Sequence, residues 1–150
     1  MQAFRIVKKR HVLPAFSGDG ARMFGGRWNR PGVPMVYSAQ TRALAALEAL
    51  AHYAGAERQI AFVTFAIEVP DALVLHLATA DLPADWRREE PGASTQDLGS
   101  AWQFAGSSVA LLVPSVLIPQ EFCLLLNPEH PDARKVMVRY PEPFQFDDRL

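Results

Sequence analysis

The chain has a single cysteine, Cys123, among its 150 residues. That excludes an internal disulfide and any cysteine-based metal cluster, and leaves Cys123 to be read as a small buried apolar residue. The four histidines, at 11, 52, 76 and 130, show no ligand spacing, so no metal site is expected. No apolar run approaches the roughly 20 residues that span a bilayer. The charged opening from Met1 to Arg10 lacks the unbroken apolar segment of a secretory signal. The chain is therefore expected to act in the cytoplasm, away from membranes. Fifteen Lys and Arg against sixteen Asp and Glu leave a net charge of −1, with no basic footprint for phosphate backbones, so direct nucleic-acid binding is not expected. The stretch Gly18-Asp19-Gly20-Ala21-Arg22-Met23 begins like a dinucleotide fingerprint but has methionine where the third glycine belongs, and no helix is expected to open there. No phosphate-binding Gly-Lys-Ser/Thr loop occurs. Gly106-Ser107-Ser108 lacks the second glycine of a hydrolase nucleophile elbow.

What is present is an ordinary globular composition, 49% hydrophobic and 21% charged, long enough for one domain with its own core. Ala3 to Val7 reads as an opening strand, Gly18 to Gly26 as a loop, Pro31-Gly32 as a turn and Val36 to Ser38 as a short strand. Thr41 is placed to cap a helix running to about Ala54, with Gly55 ending it. Runs from Ile60 to Val69, Leu73 to Leu77, Val109 to Val113 and Phe122 to Leu126 favour strands, punctuated by Pro70, Pro114 and Pro119. A second helix is expected within Ser94 to Phe104, with Ser94 and Asp97 as a capping pattern. Alternating Val136, Val138 and Tyr140 suggest a last strand with an irregular end at Pro141 and Pro143. Strands and helices follow no βαβ rhythm. The expected architecture is a single compact α+β domain, residues 1–150, with a mixed or split sheet flanked by helices.

Polar residues in the first half draw attention. Arg22 and Arg27 flank Met23 to Gly26, where glycines let a backbone approach a ligand and a planar guanidinium fits phosphate oxygens at two points. The alternative is that both arginines are merely solvated or salt-bridged. Tyr37 offers a stacking face and a hydroxyl, or a core ring with its hydroxyl at the surface. On the helix from Thr41, Leu44, Leu47, Ala51 and Ala54 make the expected apolar stripe, with Glu48, the only acid, at its margin. A partly desolvated carboxylate needs a cation, hydrogen bonds or protonation; the plainer reading is an ion pair with His52 or an arginine. Ser115, after Pro114 at a strand end, either touches ligand or closes a turn, and no His–Asp pair is evident to make it a nucleophile.

Gly25-Gly26-Arg27-Trp28-Asn29, Tyr37-Ser38-Ala39 with Ala46, Glu48 and His52, and Val113-Pro114-Ser115 together resemble the arginine, tyrosine–glutamate and serine motifs of the RES-domain family. Asn127-Pro128-Glu129-His130-Pro131 and the closing Phe146-Asp147-Asp148-Arg149-Leu150 extend the resemblance over almost the whole chain. It implies a fold related to ADP-ribosyltransferase toxins and a toxin that consumes NAD⁺ as substrate, without a further cofactor. It also implies neutralisation by a cognate Xre-type antitoxin that carries the DNA-binding function. Carried over, Glu48, Arg27 and Tyr37 would be catalytic, and Arg22, Arg27, Tyr37 and Ser115 would bind substrate. Glu48 would stabilise a cation-like ribose, Arg27 with help from Arg22 would neutralise the pyrophosphate, and Tyr37 would stack on or orient the nicotinamide. Phe4 stands where relatives are expected to carry tyrosine. Hydrolysis, phosphorolysis and protein ADP-ribosylation remain open as fates of the sugar. A non-catalytic interaction module, with the arginine loop and Glu48 in structural salt bridges, is the reading from another class.

Overall fold

A computed structural model describes residues 1–150, and its centre is one mixed eight-stranded sheet. The strands are β1 (Gln2–Lys8), β2 (Val36–Ala39), β3 (Phe62–Glu68), β4 (Val74–His76), β5 (Ala110–Pro114), β6 (Phe122–Leu126), β7 (Met137–Val138) and β8 (Glu142–Phe144). They run in the order β4-β5-β6-β2-β1-β3-β7, and β8 also pairs with β3. Only β4 and β5 are parallel. Three helices join them: α1 (Asp19–Phe24), α2 (Arg42–His52) and α3 (Ala93–Ala105). This is the single α+β domain with a mixed sheet that composition and element order implied.

Both faces of the sheet are covered, which is why β5 and β6 read as continuous apolar runs. One face carries Ala3, Val36, Ile67, Ala110, Leu112, Leu124 and Leu126. On the other, α2 lays Leu44, Ala45 and Ala49 on Phe4, Ile6, Ala39 and Phe62, while α3 brings Trp102 to Leu111, Val113 and Leu125. The helices thus share one face and leave β2 and β6 as the floor between them.

Several local expectations change. The stretch from Gly18 to Gly26 is not all loop: it holds α1, entered through left-handed Gly18 (φ 75°) and left through Gly25 (φ 71°). Asp19 pairs with Arg22 three residues on, and the Asn29 amide bonds the Ala21 carbonyl, so contacts beyond the reach of composition hold the short helix. Because β1 ends at Lys8 and no strand leads into α1, the helix does not make a dinucleotide fingerprint.

Thr41 caps α2 as expected, its hydroxyl accepting from Leu44 N at 3.0 Å. The helix stops at His52 instead of Ala54, because Arg58 gathers the carbonyls of Leu50 and Tyr53. Its buried side is also rotated: Leu44, Ala45 and Ala49 are buried, whereas Leu47 is 38% exposed and Ala51 faces solvent. The expected stripe of Leu44, Leu47, Ala51 and Ala54 therefore holds only at Leu44; the close approach of α2 to β1 and β2 favours the small Ala45 and Ala49 on the buried side.

The α3 cap is Gly92, not Ser94. Ser94 instead donates to Asp85, and Asp97 pairs with Arg30. The tail strand is shorter than the alternation suggested, and Pro143 lies within β8, which needs no proline donor because it pairs on one side only.

Gly99 is the tightest point of the fold. A Cβ there would lie 1.9 Å from the Trp28 carbonyl oxygen, so α3 can rest on the Gly26–Asn29 loop only with glycine at that position. Gly99→Ala should lower the unfolding free energy by about 1–3 kcal/mol through overpacking, and Thr41→Ala by about 1 kcal/mol through the lost cap. Urea midpoints at constant slope would measure both; an unchanged Gly99→Ala midpoint would show that the packing is looser than drawn.

Candidate active site

The site is assembled on β2 and β6, in the gap between α2 and α3. Tyr37 and Ala39 on β2 stand beside Leu125 and Cys123 on β6, all on the helix-covered face. Tyr37 is the first organising residue. Its hydroxyl donates to Asn29 Oδ1 at 2.6 Å and accepts from Trp28 N at 3.0 Å. Burial raises the phenol above its ordinary value, partly offset by the Trp28 hydrogen bond and the Arg27 charge. The hydroxyl is therefore committed to the loop, and the half-buried ring is what remains for a ligand.

Asn29 completes that knot. Fully buried, it donates to the carbonyls of Ala21, Val33 and Arg30 at 2.8, 3.0 and 3.2 Å. Gly26 closes the turn with its N–H on Asn29 O, and any Cβ there would sit 2.6 Å from the Tyr37 hydroxyl. Gln96 of α3 donates to Gly26 O, and Trp28 is buried as packing against Trp102 and Leu125. The five-residue motif is thus a braced loop that presents the half-buried side chain of Arg27.

Arg27 donates to two carbonyls, Trp86 O at 3.0 Å and Glu89 O at 3.2 Å, and has no carboxylate partner. Burial lowers its pKa from the ordinary arginine value, while the nearby Glu48 carboxylate pulls it back up. Glu48 comes from α2 on the other side. Its Oε1 accepts from Ser115 Oγ at 2.7 Å and from Cys123 Sγ at 3.5 Å, and its second oxygen has no protein partner. Neither Arg27 nor Glu48 belongs to any ion pair, and Glu48 is not bonded to His52. A salt-bridge explanation of these two residues therefore fails.

Ser115 is 1% exposed and saturated. Its oxygen accepts from Leu117 N and Ile118 N, each at 3.1 Å, while its proton goes to Glu48. It closes a turn, as one reading of this serine had it, and through the same atom it holds the Glu48 carboxylate. Burial and the two backbone N–H bonds leave the serine oxygen little access to a ligand.

Arg27, Tyr37, Glu48 and Ser115 are brought together. Arg22 is not bonded to any of them: it lies on the surface, paired with Asp19 at 2.9 Å. The sequence placed Cys123 only as core, yet its thiol touches Glu48, and burial, reinforced by that carboxylate, raises its pKa. Asn29 was legible only as part of a motif, and the segment around Trp86 that grips Arg27 carried no signal, since it contributes backbone carbonyls.

Comparison with known proteins gives the family. The RES domain family matches residues 2–147. A Toxin Res of Yersinia enterocolitica is 39% identical over 151 residues, spanning 100% of this chain and 99% of that protein. A Prs ADP-ribosylating toxin of a Sphingobium species is 39% identical over 137 residues, covering 89% and 85% of the two chains. Among solved structures, a chain of the Mycobacterium tuberculosis MbcT–MbcA toxin–antitoxin complex superposes with a TM-score of 0.77 at 25% identity, covering 96% of this chain and 84% of that one. With the family model matching residues 2–147 and a relative 39% identical over the whole chain, the chain belongs to the RES-domain family.

Proposed function

We propose that this protein is the toxin of a toxin–antitoxin pair and that it consumes NAD⁺ by breaking the nicotinamide–ribose bond. The observation that carries the reading is the pair of uncompensated charges, Arg27 and Glu48, held across one site without an ion pair between them. Unpaired charges are costly to desolvate, and a site that keeps both is suited to a ligand bearing the complementary pattern. NAD⁺ has that pattern: an anionic pyrophosphate and, when the glycosidic bond breaks, a cationic ribose.

In this mechanism Arg27 neutralises pyrophosphate oxygens with the N–H groups its two carbonyl partners leave free. The Tyr37 ring packs against the nicotinamide end. The C–N bond breaks with its electron pair passing to the nicotinamide nitrogen, and the free Glu48 oxygen faces the developing sugar cation and accepts from a ribose hydroxyl. An acceptor oxygen or nitrogen then bonds to the anomeric carbon and releases its proton. Water gives ADP-ribose, phosphate gives its phosphorylated form, and a protein side chain gives an ADP-ribosylated target. The name of the Sphingobium relative favours transfer to protein as the second reading. Labelled NAD⁺ separates the fates, as free product or as label on protein.

The superposition on a chain of a toxin–antitoxin complex supports an antitoxin partner, here proposed to be of the Xre type and to act in the cytoplasm by covering the site. No helix is long and apolar enough to cross a membrane. Arg22 retains at most an outer role, since binding phosphate would require it to leave Asp19.

Glu48→Gln keeps an oxygen for Ser115 but removes the charge. Nicotinamide release should fall by roughly 10²–10³ with little change in melting temperature; near-normal turnover would remove Glu48 from the chemistry. Ser115→Ala deprives two backbone N–H groups and Glu48 of their partner. It should cost about 1–3 kcal/mol of stability and lower turnover as well, with no ADP-ribosyl adduct on Ser115 in the wild-type protein by mass spectrometry. An adduct there would make Ser115 a nucleophile after all.

A further inference from the structure

A pyrophosphate spreads two negative charges over several oxygens, yet the braced loop presents one guanidinium, two of whose donors already hold Trp86 O and Glu89 O. Two arginines that flank it are occupied by acids: Arg22 by Asp19 and Arg30 by Asp97. Farther away, Arg42, Arg139 and Arg149 have their own carboxylates, and Arg58 caps the end of α2. Arg5 is turned to the carbonyls of Ala15 and Tyr37, where burial lowers its pKa to about 10.

Arg87 has no ion pair; Arg10, Arg88 and Arg134 also lack one, but of these four arginines only Arg87 is bonded to the turn that carries Ser115. It is exposed, has no acidic partner although Glu89 and Glu90 follow closely, and makes one long hydrogen bond, 3.3 Å, from Nη2 to Val116 O. Its guanidinium lies 5.8 Å from the centre of the Trp86 ring. The segment that carries it is tied down: Trp86 N bonds Pro83 O, Arg88 N bonds Asp85 O, and Ser94 Oγ donates to Asp85 at 2.6 Å. Trp86 and Glu89 hold Arg27, while Arg87 between them reaches the residue next to Ser115, whose hydroxyl holds Glu48. The strap therefore runs from the cation to the turn behind the carboxylate, and Arg87 is its side chain extended between them.

We propose that Arg87 is a second cation of the site, exchanging its single long bond to Val116 for the pyrophosphate of NAD⁺ alongside Arg27. The proposal rests on the NAD⁺ reading above. A charge-assisted, two-point contact to phosphate is stronger than a bond to one carbonyl, so the exchange is favourable. The strap's backbone meanwhile keeps its grip on Arg27, so that one guanidinium is held by the strap and the other is carried on it.

The test is the binding of ADP-ribose, which has the pyrophosphate but no nicotinamide, by calorimetry on the full chain. Arg87→Ala should weaken binding roughly tenfold to a hundredfold, Arg87→Lys should recover part of it, and the melting temperature should hold because the side chain is exposed. KM for NAD⁺ should rise by a similar factor, with kcat falling less. Cleavage of nicotinamide riboside, which lacks the pyrophosphate, should show no penalty. Equal ADP-ribose affinity in wild type and Arg87→Ala, or an equal penalty with the riboside, would overturn the assignment, as would a wild type that does not bind ADP-ribose at all. Should the wild type release no nicotinamide from NAD⁺ but still bind ADP-ribose in an Arg87-dependent way, the cleavage reading would fall and the Arg87 assignment would stand.

Discussion

The hydrogen-bonded knot between Tyr37 and Asn29 is the constraint on which the site depends. One phenol oxygen and one buried amide fix the Gly26–Asn29 loop to β2, to α1 and to the Val33 carbonyl. Each of those groups would be costly to bury alone, and satisfied together they form a cooperative unit that leaves the loop one conformation. The glycines follow from the same constraint. Gly26 has no room for a side chain beside the phenol, and Gly99 of α3 has none beside the Trp28 carbonyl. The loop is thus held from below by the sheet and from above by a helix, with Arg27 directed out of it.

On the rest of the surface charge is handled differently. Eight ion pairs, most of them exposed, match acids to bases in the ordinary way. At the site the protein supplies only neutral partners: carbonyls for Arg27, a hydroxyl and a thiol for Glu48. Neutral partners orient a charge without cancelling it, so its field remains available to a substrate. A direct Arg27–Glu48 bridge would have been a local gain, and it would have removed the preorganised field on which the proposed cleavage relies.

The legible part of this fold was the part written in local pattern. Thr41 announced the start of α2, and the apolar runs announced β3, β5 and β6, because a cap and a doubly buried strand each leave a signature within a few residues. The same holds for Arg27, Tyr37, Glu48 and Ser115, whose order and spacing carried a family resemblance. What was not legible lies in long-range pairing. The buried side of α2 depends on how closely the helix approaches the sheet, and α1 is held by the Asn29 amide and by Asp19 pairing with Arg22. The partners of Arg27 could not be found by residue type at all, since backbone carbonyls have no letter in the sequence.

The separation of the two charges is finally a matter of strand register. Arg27 is referred to β2 through the Tyr37 hydroxyl, and Glu48 is referred to the β5–β6 connection through Ser115 and to β6 through Cys123. Strands β2 and β6 are antiparallel neighbours, with Tyr37 opposite Leu125 and Ala39 opposite Cys123. A slip of one residue would send Tyr37 or Cys123 to the opposite face and break the link on that side. Burial on both faces makes such a slip prohibitive, because it would also exchange Leu124 and Leu126 with Cys123 and Leu125 in two different cores. The same packing that makes the sheet stable therefore sets the distance across which the cation and the carboxylate face each other, and no flexible loop has to find it.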